Sequence, residues 1–298
     1  MLSERENKTI ARSGTETRLM LAAQRQRRIL AEVSRAGGVR VSALTRLLGV
    51  SDMTIRRDIQ ALVSRGVVQK VHGGVIIEPA SSDEPGFEAK VGRERAAKEA
   101  IASAAARLVR PGTAVAVTAG TTTHALASRL AQIPDLTIVT NSLRVAEVLH
   151  ARGDRAHQTV ILTGGVRTPS DALVGPVAVA AVRNLHADVV LMGVHGMDLD
   201  AGFTTPNIME AEMNRAMIAS AHRLVVLADH TKWGVVGLSG IAALADAAVI
   251  VSDSGLTAEV RELIASQVAE LIIANEAEMT ADDDELEPMT GADDDGAA

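Results

Sequence analysis

Six short aliphatic runs recur between residues 113 and 253, and helical stretches separate them. The runs occupy residues 113–119, 136–140, 159–164, 187–194, 223–229 and 247–253. They are nearly continuously apolar, which is typical of strands that are buried on both faces of a parallel sheet. The helical stretches lie near residues 93–109, 121–131, 142–151, 172–184, 207–221 and 257–266. This order predicts an α/β unit with a mostly parallel sheet and helices on both of its faces.

The core of that sheet must be aliphatic, because the 298-residue chain has two Phe, one Trp and no Tyr. The chain has no cysteine, which excludes disulfides and thiolate metal sites and fits a reducing cytoplasm. No apolar run reaches the length of a membrane span, and residues 1–10 lack the apolar segment of a signal peptide. We therefore expect a cytoplasmic protein with no membrane contact, no metal and no cofactor.

The N-terminal part of the chain differs in both pattern and charge. Residues 21–75 hold ten Lys or Arg against three acids, whereas residues 275–298 hold ten acids and no Lys or Arg. A basic block of this kind favours binding to a polyanion. Three helices are predicted here, followed by a β-hairpin around His72-Gly73-Gly74. Three helices and a hairpin in this order predict a winged helix-turn-helix.

The second of these helices is short and has clear end signals. We expect Ser42 to be its N-cap and Gly49 to end it. Its three leucines, Leu44, Leu47 and Leu48, are expected to face the core.

The third helix, "SDMTIRRDIQALVSRG", has the features of a recognition helix. If Ile55 is at the centre of the buried face, Arg57 projects on the opposite side, where it could contact base edges. Arg56, on the flank, is better placed for a phosphate, and Asp58 is expected to pair with an arginine inside the protein. A solvated surface helix is the alternative interpretation, which the basic module disfavours. The predicted DNA contacts are Ser51, Met53, Thr54, Arg56, Arg57 and Gln60 of this helix, and Lys70 and His72 of the wing.

Changes of composition divide the chain into five predicted segments. Residues 1–20 are a flexible arm, residues 21–78 the winged helix-turn-helix, and residues 79–92, rich in Pro, Ser and acids, a linker. Residues 93–274 form the α/β unit, and residues 275–298 form an acidic tail whose low complexity predicts disorder.

The stretch "VSALTRLLGVSDMTIRRDIQALVSRGVVQKVHGG" resembles the DNA-binding domain of the DeoR family of bacterial transcriptional regulators. The resemblance continues through "TAGTTT", "TNS", "LTGG" and "ADHTK", so it covers roughly residues 20–260. It implies a sensor domain related in fold to ribose-phosphate isomerase and the CoA-transferases. It also implies a phosphorylated sugar or sugar-derived effector, a double-stranded DNA operator, homo-oligomerisation and usually repression. The arginine that the family usually has just after the linker corresponds here to either Lys90 or Arg93.

The loops that follow the predicted strands supply the candidate effector site, because ligands of open α/β sheets gather at the carboxyl ends of the strands. Hydroxyls beside a helix N-terminus could cradle a phosphate, and Lys232 could add a charge. Each residue also has a structural interpretation, such as a helix cap, a turn or an exposed lysine. The candidates are Gly120, Thr121, Thr122, Thr123, Asn141, Ser142, Gly164, Gly165, Glu210 and Lys232.

Two functions of different classes follow from these residues. The first is an effector-responsive transcription factor, a repressor of carbohydrate-metabolism genes, with no catalytic residues. The alternative is a sugar-phosphate isomerase with a fused DNA-binding module, in which Asp229, Lys232 and Glu210 would be acid–base groups. We favour the regulator, because proton transfer at a sugar carbon needs a carboxylate at hydrogen-bond distance, which no sequence can show. An assembly module with an empty sensor is a third interpretation.

Overall fold

The computed structural model describes residues 22–36, 38–65, 68–71, 73–76, 84, 86–151 and 157–275. The chain divides into two compact units, residues 1–80 and 81–298. The predicted arm, His72 of the wing and the acidic tail from residue 276 lie outside the described residues.

The first unit contains three helices and a small antiparallel sheet. The helices are α1 (Ala22–Ala36), α2 (Val41–Leu48) and α3 (Asp52–Val63), and the strands are β1 (Gly38–Arg40), β2 (Gln69–Val71) and β3 (Gly74–Ile76). The strands are ordered β1-β3-β2, and both pairings are antiparallel. This is the predicted winged helix-turn-helix, with β1 as a strand that the sequence pattern did not indicate. Ile29, Leu44, Ile55 and Leu62 are fully buried where the three helices meet.

Two predictions about α2 were wrong. The helix begins at Val41 with Arg40 at the N-cap position, so Ser42 lies inside the first turn. Val41 is buried and its N–H donates to the carbonyl of Gly73 at 3.0 Å, which ties the helix start to the wing. Leu47 is 50% exposed, because Leu44 and Leu48 occupy the core-facing line of this short helix. Gly49 does end the helix, with φ at 63°.

The second unit is built on a seven-stranded parallel sheet. Its strands are β4 (Ala114–Val117), β5 (Thr137–Thr140), β6 (Thr159–Leu162), β9 (Val189–Gly193), β12 (Leu224–Leu227), β14 (Val249–Asp253) and β15 (Glu270–Ala274). The strands are ordered β15-β14-β12-β9-β4-β5-β6 across the sheet. The six predicted strands are all present, and β15 at the sheet edge was missed. The α/β class with a parallel sheet is confirmed.

Helices and two small antiparallel sheets surround this sheet. The helices are α4 (Phe87–Val91), α5 (Arg95–Ala106), α6 (Thr121–Leu130), α7 (Leu143–Ala151), α8 (Pro176–Val182), α9 (Ile208–Ala219) and α10 (Ala258–Ala265). The small sheets pair β7 (Val166–Arg167) with β8 (Leu173–Val174), and β10 (Gly196–Asp198) with β11 (Gly202–Thr205) and β13 (Ser239–Ala242). Short 3₁₀ helices span His230–Lys232 and Leu244–Asp246.

Successive residues of the central strands enter two different cores. In β12, Val225 and Leu227 join the cluster that includes residues of α5, α6 and α7, whereas Val226 joins the cluster with residues of α8 and α9. This explains the continuous apolar runs in the sequence, since both faces of each strand are covered. In the part of the chain that the structure describes, no helix is both long enough and apolar enough to cross a membrane.

The end of the segment predicted as a linker differs from that expectation. Residues 87–91 form α4, and Phe87 is 6% exposed. The Phe87 ring packs edge-to-face on His124 of α6, with 5.2 Å between ring centroids, and the guanidinium of Arg144 lies 4.9 Å from its centroid. One of the two Phe residues in the chain therefore anchors this segment to the α/β unit.

Candidate functional site

The N-terminus of α3 is organised by its cap. The hydroxyl of Ser51 accepts a hydrogen bond from the backbone N–H of Thr54 at 3.3 Å and contacts the Thr54 hydroxyl at 2.9 Å. Ile55 and Ile59 are buried, while Met53, Arg57 and Gln60 are exposed. The face opposite the core therefore presents the side chains that the sequence predicted for base contacts.

The charges that flank this face are paired within the unit. Arg56 Nε lies 2.6 Å from Asp52 Oδ2, one turn earlier on the exposed side of α3. Asp58 is 4% exposed; one of its oxygens lies 2.6 Å from Arg25 Nε, and the other accepts from Gln26 at 3.2 Å. The expectation that Asp58 pairs with an arginine inside the protein is confirmed.

The wing adds a second cation beside α3. Lys70 lies on the exposed strand β2. Lys70 and Arg56 line one small cleft, together with Val41, Ile59 and Gly74. Two cations at one cleft suit a phosphate of the DNA backbone, which supports the predicted role of Arg56.

The α/β unit has a cavity where the carboxyl ends of β4, β5 and β9 meet. It encloses about 720 Å³, including the solvent at its mouth. Six of the predicted effector residues lie in its wall: Gly120, Thr121, Thr122, Asn141, Glu210 and Lys232. The wall also contains Glu84, Lys90, Ala119, Ser170, Ala172, Gly193, Val194, His195, Thr205, Pro206, Asn214 and Ile241.

The loop after β4 supplies the cavity with a helix N-terminus. Gly120 is the N-cap of α6 and has φ at 152° and ψ at 162°, a backbone region that favours glycine. A Cβ there would lie 3.2 Å from the hydroxyl oxygen of Thr123. The first N–H groups of α6, at Thr121 and Thr122, lack partners inside the helix and can bind an anion together with its positive dipole end.

The loops behind this N-terminus are fixed by buried polar side chains. Asn141, 1% exposed, accepts from the N–H of Ala119 at 3.0 Å and donates to the carbonyl of Leu173 at 3.1 Å. It therefore holds the loop that precedes Gly120. Both the structural and the ligand-binding interpretation of Asn141 remain, because its side chain also lines the cavity.

Four predicted effector residues, all described by the structure, lie outside the cavity wall, and each has a structural role. Thr123 donates to the carbonyl of Gly120 at 3.0 Å, and Ser142 accepts from the N–H of Val145 at 3.2 Å. Gly164 has φ at 71° and forms the turn into β7. A Cβ on Gly165 would lie 2.5 Å from the carbonyl oxygen of Val174, so this glycine allows β7 and β8 to approach each other.

Two lysines bring positive charge to the cavity. Lys232, in the 3₁₀ helix after β12, has its Nζ 3.9 Å from Oδ2 of the fully buried Asp229. Lys90 of α4 donates to the hydroxyl of Ser170 at 2.9 Å. Burial lowers the pKa of Lys90, although the carboxylates of Glu210 and Glu84 act in the opposite direction.

A third lysine, Lys98, supports the cavity without lining it. Lys98 is 4% exposed and donates to the carbonyls of Lys90, in the last turn of α4, and of Arg93, just after this helix. Burial lowers the pKa of Lys98 to about 8, and the Asp229 carboxylate offsets only part of this decrease.

Two carboxyl groups face each other in the same cavity. Burial, and then the Glu84 carboxylate, raise the pKa of Glu210 to about 7. Burial also acts to raise the pKa of Glu84, but the hydrogen bond from Asn207, with Glu210, Ser170 and Lys90 nearby, outweighs it and lowers that pKa. The proton of this pair of carboxyls is therefore held more strongly by Glu210 than by Glu84.

Glu84 and Lys90 were missed as cavity residues for a specific reason. Both lie in residues 79–92, whose Pro, Ser and acid content predicted a linker. For Lys90, the available signal was the resemblance, which matched the usual arginine of the family to either Lys90 or Arg93. No pattern pointed to Glu84.

A winged DNA-binding unit followed by a parallel α/β unit defines the class of DNA-binding transcriptional regulators. Residues 25–79 match the family model of the DeoR-like helix-turn-helix domain, and residues 93–254 match that of the DeoR C-terminal sensor domain. The chain belongs to the DeoR family of transcriptional regulators.

Curated relatives share nearly their whole length with this chain. The transcriptional regulator GolR of Listeria innocua is 34% identical over 79% of this chain and 92% of its own. The transcriptional regulator GlpR of Haloferax volcanii is 35% identical over 83% of this chain and 96% of its own. A putative aga operon transcriptional repressor of Escherichia coli O157:H7 is 32% identical over 88% and 97% of the two chains.

Solved structures are similar to this chain only at a low level. A D-ribose-5-phosphate isomerase in complex with phospho-erythronic acid has a TM-score of 0.34 and 15% identity, over 46% of this chain and 52% of its own. The eIF2B delta of Chaetomium thermophilum has a TM-score of 0.35 and 16% identity, over 48% and 50% of the two chains. The chain spans about half the length of these structures, and at these values the similarity carries no argument about function.

Proposed function

We propose that the α/β unit binds a phosphorylated sugar or polyol and that binding changes the affinity of the winged unit for its operator. The observation that carries this proposal is the cavity itself. Its wall combines the N-terminus of α6 and Lys232, which suit a phosphate, with Glu84 and Glu210, which suit hydroxyl groups.

The regulated genes, in this proposal, belong to carbohydrate metabolism, and the protein represses them until the effector is present. Membership of the DeoR family and the repressor name of one relative support this direction. We also propose a homo-oligomer, in which paired winged units contact repeated half-sites on DNA. An effector can act only through a difference in its affinity for the DNA-binding and the released arrangements.

The direct test is a thermal-shift screen of the full chain against phosphorylated sugars and polyols. Fluorescence of Trp233, the single tryptophan, provides a second readout, because it directly follows Lys232 in the cavity wall. A true effector should raise the unfolding temperature, perturb Trp233 and weaken operator binding. A panel in which no phosphorylated compound stabilises the protein would overturn the proposal.

Lys232→Ala should keep operator binding and lose the response to the effector. Lys232 belongs to the α/β unit, and in this proposal its charge binds the phosphate of the effector and not DNA. Lys70→Ala is a matched control with the opposite pattern, since Lys70 lies on the wing. A Lys232→Ala protein that still responds at wild-type effector concentration would remove Lys232 from the site.

In this proposal the cavity is a sensor and no turnover occurs. Incubation with ribose 5-phosphate and other sugar phosphates, followed by NMR, distinguishes the two functions. We expect unchanged spectra; steady conversion that is lost in Glu210→Gln would establish the isomerase instead.

A further inference from the structure

The cavity wall includes two side chains from the segment that joins the two units in sequence. The boundary between the units falls after residue 80, and Glu84 and Lys90 follow soon after it in the chain. The rest of the wall comes from strand ends and the loops that follow them, from the small sheet that contains β11 and β13, and from the helices α6 and α9. A ligand in this cavity would therefore directly contact the joining segment, for which the structure describes residues 84 and 86–91.

The described residues of the joining segment are held in place by contacts with the rest of the α/β unit. Lys90 donates to Ser170, and Lys98 binds the carbonyl of Lys90 at 2.8 Å. Phe87 packs on His124, which lies in the first turn of α6, next to Thr121 and Thr122. The segment thus contacts the helix whose N-terminus is the candidate phosphate site.

Glu84 has one satisfied and one open oxygen. Its Oε2 accepts from the Asn207 amide at 2.7 Å, whereas its Oε1 is buried and has no hydrogen-bond partner in the geometry of the described residues. Glu210 accepts from the hydroxyls of Thr168 at 2.7 Å and Thr205 at 3.4 Å. A buried carboxylate oxygen without a donor is costly, and a hydroxyl group of a ligand is a donor that would satisfy it.

We propose that Glu84, paired with Glu210, forms a hydroxyl-recognising subsite of the effector cavity and thereby attaches the effector to the joining segment. This proposal rests on the proposed function and adds a specificity-determining residue to it. The subsite makes the protein prefer a polyhydroxylated phosphate over a bare one. It also means that the hydroxyl groups of the effector, and not its phosphate alone, contact the joining segment.

Calorimetric titration of the full chain with two probes tests the subsite. Methyl phosphate provides the phosphate group without a carbon-bound hydroxyl, and sorbitol 6-phosphate provides the same group with a polyol chain. Wild type should bind sorbitol 6-phosphate at least about tenfold more tightly, the contribution of a hydrogen bond to a charged group. Glu84→Ala should lose that preference and bind methyl phosphate as wild type does.

Glu88→Ala is the matched control on the same segment. The Glu88 carboxylate is 77% exposed and pairs with Arg144 at 2.7 Å, outside the cavity wall formed by the described residues. It should keep the full preference for sorbitol 6-phosphate. Unfolding of each ligand-free variant, followed by Trp233 fluorescence, shows whether the α/β unit is intact.

The outcomes separate the subsite from the proposed function. Equal binding of both probes by wild type, or a preference that survives in Glu84→Ala, would overturn the subsite and leave a phosphate sensor. Equal weakening of both probes in Glu84→Ala would assign Glu84 a general structural or electrostatic role instead. If neither these probes nor any phosphorylated compound of the thermal-shift panel binds wild type, the proposed function itself fails.

Glu210→Gln provides a second variant if Glu84→Ala unfolds. Glutamine keeps the shape and the carbonyl acceptor of Glu210 but removes its carboxyl group, which is the partner of Glu84 in the proposed subsite. The preference for sorbitol 6-phosphate should change while methyl phosphate binding stays within about twofold, less than one neutral hydrogen bond. An unchanged ratio between the two probes would contradict the paired arrangement.

Discussion

The two units of this chain place their ionisable groups in opposite ways. In the winged unit, Arg57 and Lys70 are exposed on the surface, and the buried Asp58 is neutralised by Arg25. In the α/β unit, Glu84, Glu210 and other charged groups converge on one cavity. Exposed cations suit a large polyanion such as DNA, which binds to the surface. An enclosed polar cavity suits a small ligand, whose groups complete the hydrogen bonding of the buried side chains.

The comparison also separates the roles of buried carboxylates. Asp58 has partners on both oxygens and so contributes to the stability of the winged fold. Glu84 keeps one oxygen open, and Glu210 has a pKa raised to about 7 by burial and by Glu84. Substitution should therefore affect stability in the first case, and pH dependence and ligand binding in the second.

The largest expected effect is that of Asp58→Ala on the winged unit. Removal of one partner of a buried ion pair should lower its stability by about 3 kcal/mol. Trp233 lies in the α/β unit and does not report on this change, so hydrogen exchange of peptides from α1 to α3 is the appropriate measurement. Asp52→Ala, which breaks the exposed pair with Arg56, should cost less than about 1 kcal/mol. Similar protection in the two variants would remove the contrast between the pairs.

The next effect is a pH dependence that should be confined to the α/β unit. A raised pKa means that the Glu210 proton stabilises the folded state fully below the ordinary glutamate pKa, and that this contribution is lost as pH rises through about 7. Between about pH 5 and about pH 8, the ligand-free α/β unit should lose about 2 kcal/mol of stability from this group. The pKa of Glu84 is lowered, so its carboxylate stabilises the folded state at neutral pH. That contribution is lost only as the pH falls to more acidic values.

Urea unfolding followed by Trp233 fluorescence measures this pH dependence in the α/β unit. Glu210→Gln should flatten the stability profile across neutral pH, because glutamine carries no titrating proton. Glu88→Gln, an exposed carboxylate of the same unit, should keep the wild-type profile. A slope that persists in Glu210→Gln would assign the titration to another group.

Arg57→Ala should weaken binding to a selected operator by about 2 kcal/mol and reduce its preference over random duplex. Arg56→Ala should instead weaken both DNAs to a similar extent and reduce the salt dependence, since its expected partner is a phosphate. Gel-shift titrations of both variants against both DNAs measure the difference. Undiminished selectivity in Arg57→Ala would show that the exposed face of α3 does not contact bases.

The buried and exposed faces of the recognition helix α3 were predicted correctly, because the helical period of this one element determines them. Once Ile55 was placed in the core, the exposure of Arg57 and the position of Asp58 near the edge of the core followed from helix geometry, although Asp58 is more deeply buried than that position indicated. The parallel sheet was predicted for a similar reason, since strands covered on both faces must be continuously apolar. Leu47 was misplaced because α2 has eight residues, too few for its pattern to separate the centre of the stripe from its edge.

The cavity could be predicted only in part, because it is assembled from segments that are distant in sequence. Gly120, Asn141 and Lys232 were found from their positions after strands. Glu84 and Lys90 enter the cavity because Phe87 folds the joining segment onto α6, and no local pattern encodes that contact. Thr123 and Ser142 follow strands as well, but their side chains turn back to bond the backbone of their own helices.

The smallest expected effect concerns two helix caps. Ser51 only caps its helix, whereas Asn207 caps its helix and also holds a cavity residue. Ser51 caps α3, so Ser51→Ala should cost about 1 kcal/mol in the winged unit and nothing in effector binding. Asn207 caps α9 by accepting from the N–H groups of Met209 and Glu210, and its amide also donates to Glu84.

Asn207→Ser keeps a cap oxygen and removes that amide donor, so the stability of the α/β unit should change by less than about 1 kcal/mol. Its binding of sorbitol 6-phosphate should nevertheless change relative to methyl phosphate, because the orientation of Glu84 depends on the lost bond. If the two probes keep their wild-type ratio in Asn207→Ser, Glu84 is positioned without Asn207, and the second role of this cap is excluded.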